Sequence, residues 1–469
     1  MYLETVTDSF LLLTVNDVCI QNDLIQFINS VRSIDVVFNL AEISFRDSLN
    51  YFDTVINSDT ALYVNFDCSM ENLDILLEKI NLARDLLLHK CRVLIFIVPV
   101  YVRNQVQLDF PDLYSYFHYR EDFIMQLESI TSYILPWDAY LNTKEVQHIL
   151  KQHYISSGKT LEEKIKYFRT ANMSSSECKN IMADLTMLMR KTKESEYDRR
   201  YVADLLNAYA KVLLTQGMYV DASLLYEKLS KFLDDRKDVI THYQVCMGKG
   251  DISLAQGEYD LAIEAYSDLA AVVGSNIEYP YEQEGEILIV QLYERNALCY
   301  ALQKNYMTAI EFMDKAEQKQ HVMCQLTGKE RFAFYYNYLL ILLAYGKAES
   351  YTTTRILEIL DSVVENKVQL LMYKTLCSWY NGVLHGSIRA ELANALETLR
   401  CKREVFIEND KRIAESHYII ATLFMLSGNF EKAEYCCSKA KNILSNYTDE
   451  CTSVLQIIQQ LENRIKELV

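Results

Sequence analysis

Apolar residues along the first third of the chain fall into two alternating rhythms. Short continuous runs, Ser9–Val15 (SFLLLTV), Ile34–Leu40 (IDVVFNL), Ala61–Phe66 (ALYVNF) and Arg92–Val98 (RVLIFIV), read as strands. Between them lie stretches with helical spacing. These are Val18–Val31 with Leu24, Phe27, Ile28 and Val31 in phase, Phe45–Ile56, and Met70–His89 with Leu73, Leu76, Leu77 and Ile80. Alternation of strand and helix predicts a mostly parallel sheet with helices on both faces. The run at 92–98 is unbroken in hydrophobicity, which predicts a strand buried on both sides near the sheet's centre.

After about residue 140 the strand rhythm stops. Residues 141–200 read as a helical connector: Lys144–Gln152 is helical, Ser156–Thr160 breaks it, Leu161–Phe168 is a short helix, and the serines of Met173–Glu177 cap another. From about residue 201 one pattern recurs: QGMYVDASLLYEKL (Gln216–Leu229), QGEYDLAIEAYSDLA (Gln256–Ala270), QKNYMTAIEFMDKA (Gln303–Ala316) and SGNFEKAEYCCSKA (Ser427–Ala440). Each copy is a turn followed by a helix. Gly217, Gly257 and Gly428 suit a left-handed helix end at no steric cost. An aromatic follows two residues on, at Tyr219, Tyr259 and Phe430, with Tyr306 in the copy lacking the glycine. Three residues further stands an alanine every time, at Ala222, Ala262, Ala309 and Ala433, and four beyond it a larger residue, Tyr226, Tyr266, Met313 or Cys437. Small against large at that spacing lets two helices approach closely. The preceding helices carry a small residue nine before the aromatic: Ala210, Gly250, Ala297 and Ala421.

This arrangement resembles the tetratricopeptide repeat, which implies an all-α superhelical solenoid over 201–469. A fifth unit is expected around Tyr335–Gly346, and divergent units near Tyr335–Leu360 and Lys367–Phe406. A last helix at Asp449–Leu468 has Val454, Ile457, Ile458, Leu461 and Ile465 on one face and charge on the other, as a capping helix needs. The expected organisation is therefore an α/β domain at 1–140, a connector at 141–200 and the solenoid.

The segments Asn81–Pro99 (NLARDLLLHKCRVLIFIVP) and Phe110–Phe123 (FPDLYSYFHYREDF) carry a second resemblance. A helix with an Arg84-Asp85 pair leads to an apolar strand ending in Pro99, and Pro111 through Tyr116 follow. This is similar to the degenerate P-loop NTPase-like domain that precedes tetratricopeptide arrays in bacterial STAND-type and related conflict-system proteins. The resemblance implies a context of bacterial defence or signalling, such as phage sensing.

The chemistry such a domain needs is hard to find. The first strand-to-helix connection, Thr14–Asp23 (TVNDVCIQND), has no glycine, so it lacks the cradle that aims backbone N–H groups at phosphate. SSGKT at Ser156–Thr160 looks like the tail of a phosphate loop, but no apolar strand precedes it. Asp67 after the third strand candidate could hold Mg²⁺, though it reads more simply as a helix cap before Glu71. Glu71 is the candidate acid if the domain were a TIR-like NAD-cleaving fold, whose usual glycine-rich loop is missing here. The eight histidines do not cluster at metal-ligand spacing, and no G-x-S-x-G nucleophile motif occurs. No catalytic residue, cofactor or metal is expected.

Charge narrows the partners. The net charge is -17, and the first 150 residues hold 21 acidic and nine basic side chains. Such a surface repels nucleic-acid phosphate and anionic lipid, so direct nucleic-acid or membrane binding is not expected. Twelve scattered cysteines without a C-x-x-C pair suit buried thiols in a reducing cytoplasm. The N-terminal sequence lacks a secretory signal, and no apolar run is long enough to span a membrane.

In tetratricopeptide arrays the first helix of each unit lines the concave face. That register places Asn207, Lys211, Gln244, Gln291, Arg295, Tyr336, Asn337 and Tyr418 on or near it, where side-chain amides can hold an extended peptide backbone. The expectation is a cytoplasmic, non-catalytic scaffold, adaptor or sensor that takes a protein or peptide on this face and a second protein on the acidic domain. Homo-oligomerisation is left open. Two other classes compete: a nucleotide-acting enzyme with a repeat sensor, and a peptide-responsive regulator of the quorum-sensing type.

Overall fold

In the computed structural model, the residues described are 9–39, 60–64, 70–90, 93–135 except 126 and 130, eight helical positions between 203 and 214, 218–233, 239–276, 282–347, 350–406, 408–445 and 452–468. The expected helix at Phe45–Ile56, the connector helices and the SSGKT string lie outside them.

The first elements are β1 (Ser9–Val15), α1 (Val18–Val31), β2 (Val36–Asn39), β3 (Thr60–Val64), α2 (Met70–Lys90), β4 (Val93–Pro99), α3 (Val100–Asp109), α4 (Pro111–Tyr116) and β5 (Phe117–Phe123). Among the described residues five strands form one parallel sheet in the order β2-β3-β4-β1-β5, with β4 in the middle as its apolar run requires. The period of two along β1 and β4 serves two cores at once. Phe10, Leu12, Leu94, Phe96 and Val98 pack with Leu77, Ile80, Val102 and Val106 on one face. Leu11, Leu13, Val15, Val93, Ile95 and Ile97 pack with Ile28 of α1 on the other. The fifth strand has no counterpart in the apolar runs. Its sequence FHYREDF is mostly exposed, because β5 is an edge strand and its charges discourage further pairing.

The helical elements are α5 (Tyr219–Phe232), α6 (Val239–Ala255), α7 (Tyr259–Asn276), α8 (Glu282–Leu302), α9 (Tyr306–Glu317), α10 (Gln320–Met323), α11 (Gly328–Ala344), α12 (Tyr351–Val363), α13 (Lys367–Cys377), a π-helix (Ser378–Leu384), α14 (Ile388–Val405), α15 (Lys411–Leu426), α16 (Phe430–Leu444) and α17 (Thr452–Leu468). Among the described residues four hairpin turns are built alike, and the expected turn at Gly217 lies outside them. Gly257, Gly346 and Gly428 sit at φ +77 to +78°, and Lys304 takes the same left-handed conformation at φ 62° in the copy without a glycine. Each closes with a pair of bonds that satisfies the orphan carbonyls of the helix end. At Gly257 they are Glu258 N–H to Ser253 O (2.9 Å) and Gly257 N–H to Leu254 O (3.2 Å). The same pair recurs at Lys304, Gly346 and Gly428. The turn at Gly346 confirms the fifth unit. Its helix cap, Ser350, stands four residues past the glycine instead of one, so the copy is out of step with the others.

The small-against-large pairing is real packing. Ala222, Ala262, Ala309 and Ala433 are fully buried, as are Tyr226, Tyr266, Met313 and Cys437. A Cβ added at Gly250 would lie 2.5 Å from the Tyr266 ring, and one at Gly248 would lie 2.3 Å from that of Tyr226. These glycines are spaces that tyrosine rings fill. The sheet domain followed by this TPR-like helical array matches the expected fold class.

The chain folds into two compact units that do not follow linear order. One comprises Met1–Ile130, Lys374–Arg403 and Asn409–Val469; the other comprises Thr131–Tyr373 and Glu404–Glu408. In the first unit α17 covers the end of the helical stack with Ile458, Leu461 and Ile465 buried, and Lys441 of α16 bonds its Gln459 (2.6 Å) and Glu462 (3.0 Å).

Candidate partner-binding face

The residues expected on the inner face come from the first helix of successive hairpins, and most of them bond from one hairpin to the next. The Asn207 carboxamide donates to Gln244 Oε1 (3.1 Å), and the Gln291 carboxamide to Glu330 Oε1 (3.3 Å). Lys211 is half-buried on the same helical stretch as Asn207. Such a ladder fixes how each hairpin stacks on the last.

Arg295 is not a free cation on this face. Its side chain is 8% exposed and forks onto Asp251, Nε to Oδ1 at 2.7 Å and Nη2 to Oδ2 at 3.3 Å. The Tyr266 hydroxyl donates to the same Asp251 Oδ1 at 2.7 Å. Burial works against the Arg295 charge, but the Asp251 carboxylate outweighs it and holds the guanidinium pKa above its usual value. Burial likewise pushes the Tyr266 phenol well up. Arg295 is therefore an internal tie between α6 and α8. Sequence reasoning passed over Asp251, although an acid following Gly248 and Gly250 on the packed side of a helix is a usable signal.

Tyr336 is buried and stacks on Phe332 at 5.6 Å between centroids. Its neighbour Asn337, with no exposed surface, grips a different stretch of the chain. Asn337 Oδ1 accepts from the Ile134 N–H at 2.7 Å, and Asn337 Nδ2 donates to the Ile134 carbonyl at 2.8 Å. The same amide nitrogen reaches Glu294 Oε1 at 3.4 Å, which orients the carboxamide. Burial raises the Glu294 carboxyl to about 7.

Tyr418, in the other unit, stacks on Trp379 at 6.0 Å, and its hydroxyl donates to the Glu128 carbonyl at 2.7 Å. Two of the eight expected residues thus hold main-chain atoms of the stretch after β5, Tyr418 at Glu128 and Asn337 at Ile134, each within its own unit.

The carboxyl end of the sheet is the other place where a ligand would be sought. Chain connections leave β1 toward β2 on one side, while β5 pairs on the other, so the strand order reverses there. Asn16 follows β1 directly and is almost wholly buried. Its amide nitrogen donates to the carbonyls of Met125 and Val383, both at 3.1 Å, and its oxygen accepts from Met125 N–H at 2.7 Å. Gly386, at φ +79°, lies where a Cβ would come 3.0 Å from Pro99 and 3.5 Å from the Val15 carbonyl. The Tyr101 N–H donates to the His385 carbonyl at 3.0 Å. Asp17 caps α1, accepting from Cys19 N–H at 2.6 Å, and burial raises its carboxyl pKa.

Asp67 lies outside the described residues, as does the Glu71 side chain. Among the described residues no cluster of His, Cys, Asp and Glu is placed to hold a metal ion, and no helix is long and apolar enough to cross a membrane.

No family model and no curated protein matches the chain. The solved structures similar to it include TPR-like repeat proteins and a STAND ATPase. BtubC (BKLC) from P. vanneervenii is 12% identical over 62% of this chain and 94% of that one, with a TM-score of 0.28. A putative kinesin light chain from P. anserina with nearly identical TPR-like repeats is 11% identical over 55% and 100%, with a TM-score of 0.23. The STAND protein with a tetratricopeptide repeat sensor from Pyrococcus horikoshii is 10% identical over 99% and 79%, with a TM-score of 0.33. Superpositions this loose carry no argument. The fold rests on the sheet, the turns and the packed helices themselves.

Proposed function

We propose that this chain is a non-catalytic interaction scaffold or sensor. Its helical array holds a protein or peptide partner, and its acidic α/β domain docks a second protein. The resemblance carried by residues 81–99 and 110–123 supports a setting in bacterial defence or signalling.

The observation that carries the reading is the packing of described residues at the carboxyl ends of β1 and β4. Ligands of open α/β sheets bind outside the strand ends where the order reverses. Here that space is taken by Asn16, bonded to Met125 and Val383, and by the turn at Gly386 against Pro99. A phosphate site also needs a glycine-rich turn and free N–H groups at the helix start. The turn before α1 has no glycine, and the Asp17 carboxyl already accepts from the Cys19 N–H at the helix start, which supports the reading.

The test has two arms. Full-length protein is incubated with Mg-ATP and, separately, with NAD, and product is followed. Neither is expected to turn over above a protein-free blank. Turnover abolished by Asp17→Ala or Glu71→Ala overturns the reading. In the second arm the native protein is used as bait for mass spectrometry, and a recovered partner is expected to be lost with changes on the array face.

A further inference from the structure

The segment that leads away from the sheet lies on the array as a ligand would. Residues 131–135 (TSYIL) are neither helix nor strand. Asn337 takes both the N–H and the C=O of Ile134, at 2.7 and 2.8 Å. A residue offers both groups on the same side only when its backbone is extended, as in the paired residues of an antiparallel ladder. The recognition therefore reads main chain and conformation at Ile134, not its side chain. Leu135 packs against the cluster formed by α5, α6 and α7 with the helix before them, and burial pushes the Tyr133 phenol up. The grip has the parts of a peptide site: a buried carboxamide fork oriented by a neighbouring carboxylate, and apolar contacts from flanking side chains.

We infer that the face centred on Asn337 is a peptide-backbone site occupied here by the chain's own residues 131–135, and that its partner presents an extended segment of aromatic–aliphatic character that competes for the fork. The inference rests on the reading of the array as a protein-binding surface and names the chemistry of what it binds. A resident segment weakens an incoming one in proportion to the fraction of time it holds the site. Loosening the resident must therefore strengthen the competitor. That coupling separates a ligand site from an ordinary structural contact.

The experiment uses the full-length protein and a fluorescein-labelled synthetic peptide, ESITSYILPW, corresponding to residues 128–137. Anisotropy is followed on titration with protein. Ile134→Pro removes the N–H that Asn337 accepts and frees the resident segment. The peptide is expected to bind this variant roughly tenfold or more tightly than it binds the unaltered protein. Asn337→Leu added to Ile134→Pro is expected to abolish the gain. Because a protein variant can fail to fold, the same question is put to the peptide: N-methylation at the position of Ile134 is expected to abolish binding to the Ile134→Pro protein. Equal affinity for both proteins, binding indifferent to N-methylation, or no binding to either protein overturns the inference. That last result leaves the scaffold reading standing if a partner is still captured. ATP or NAD turnover overturns the scaffold reading and does not alter the peptide titration.

Discussion

Gly250→Ala isolates the packing that sets the repeat. Position 250 lies inside α6, where alanine is ordinarily the better helix former by about 1 kcal/mol. Here the added methyl would stand 2.5 Å from Tyr266 Cε1, 2.9 Å from Cδ1 and 3.0 Å from Cζ. Carbon atoms rest at about 3.5–4.0 Å, so the ring must retreat by roughly 1 Å. It has nowhere to go: Tyr266 is fully buried and its hydroxyl is committed to Asp251 at 2.7 Å. Overpacking of this kind costs about 1–3 kcal/mol. A disturbed hydrogen bond to a charged acceptor costs about 1.5–3 more. After the helix-propensity gain is subtracted, a net loss of about 1.5–5 kcal/mol is expected. Gly274→Ala is the control, because a Cβ at Gly274 near the end of α7 meets nothing within 4 Å. It is expected to be neutral or to stabilise by up to about 1 kcal/mol. A chain with two compact units need not melt in one step, so hydrogen-exchange mass spectrometry on peptides from α6 and α7 is the assay, with thermal melting beside it. Gly250→Ala is expected to speed exchange in both helices and lower the melting temperature of that unit by about 3 °C or more. If Gly250→Ala protects those helices as well as Gly274→Ala does, the account of small residues as receptacles for tyrosine rings is wrong.

Three further outcomes are expected. Asp251→Leu leaves Arg295 buried and unpaired and is expected to cost about 3–5 kcal/mol in urea unfolding, with much of it recovered in the Asp251→Leu, Arg295→Met double variant; additive losses would argue against a coupled pair. Asn16→Leu leaves the Met125 N–H and the Met125 and Val383 carbonyls unpaired in the interior and is expected to cost about 3 kcal/mol; a melt within a degree of the unaltered protein would refute the role given to Asn16. His385 and Glu294 are expected to push the pH dependence in opposite directions. Burial lowers the His385 pKa to about 4, so its stabilising contribution is complete above about pH 6.5 and is lost as pH falls toward 4, and His385→Phe should flatten that acid limb. Burial raises Glu294 to about 7, so its contribution is complete below about pH 4.5 and is lost as pH rises to 7, and Glu294→Gln should flatten the neutral limb. Unchanged limbs in either variant would remove that group from the account.

Much of this molecule was legible in the chain because its signals are local. The apolar run at Ser9–Val15 marked β1 as a strand, and the unbroken run at 92–98 placed β4 in the sheet interior. A turn residue, an aromatic and an alanine at fixed spacing marked four hairpins, since a left-handed helix end and a close helix approach constrain residues only a few positions apart. The turns at Gly257, Lys304 and Gly428 are left-handed, and Gly217 lies outside the described residues. What escaped was polar. The edge strand β5 carries Arg120, Glu121 and Asp122 and shows no apolar period. The fifth hairpin was expected around Tyr335–Gly346, but its longer turn before Ser350 was not.

The spacing of side chains also decided which residues share helices: Gln244 lies on α6, Gln291 and Arg295 on α8, and Tyr336 and Asn337 on α11. What each of them touches was settled only by the tertiary structure. Arg295 is tied to Asp251, 44 residues away; Asn337 holds Ile134, 203 residues away; and Asn16 reaches Val383 across 367 residues. Periodicity reports the face on which a residue lies, because a helix or strand repeats over a few positions. It does not report the partner, because a buried polar group takes whichever complementary group the fold brings within about 3 Å, and that choice leaves no mark on neighbouring residues.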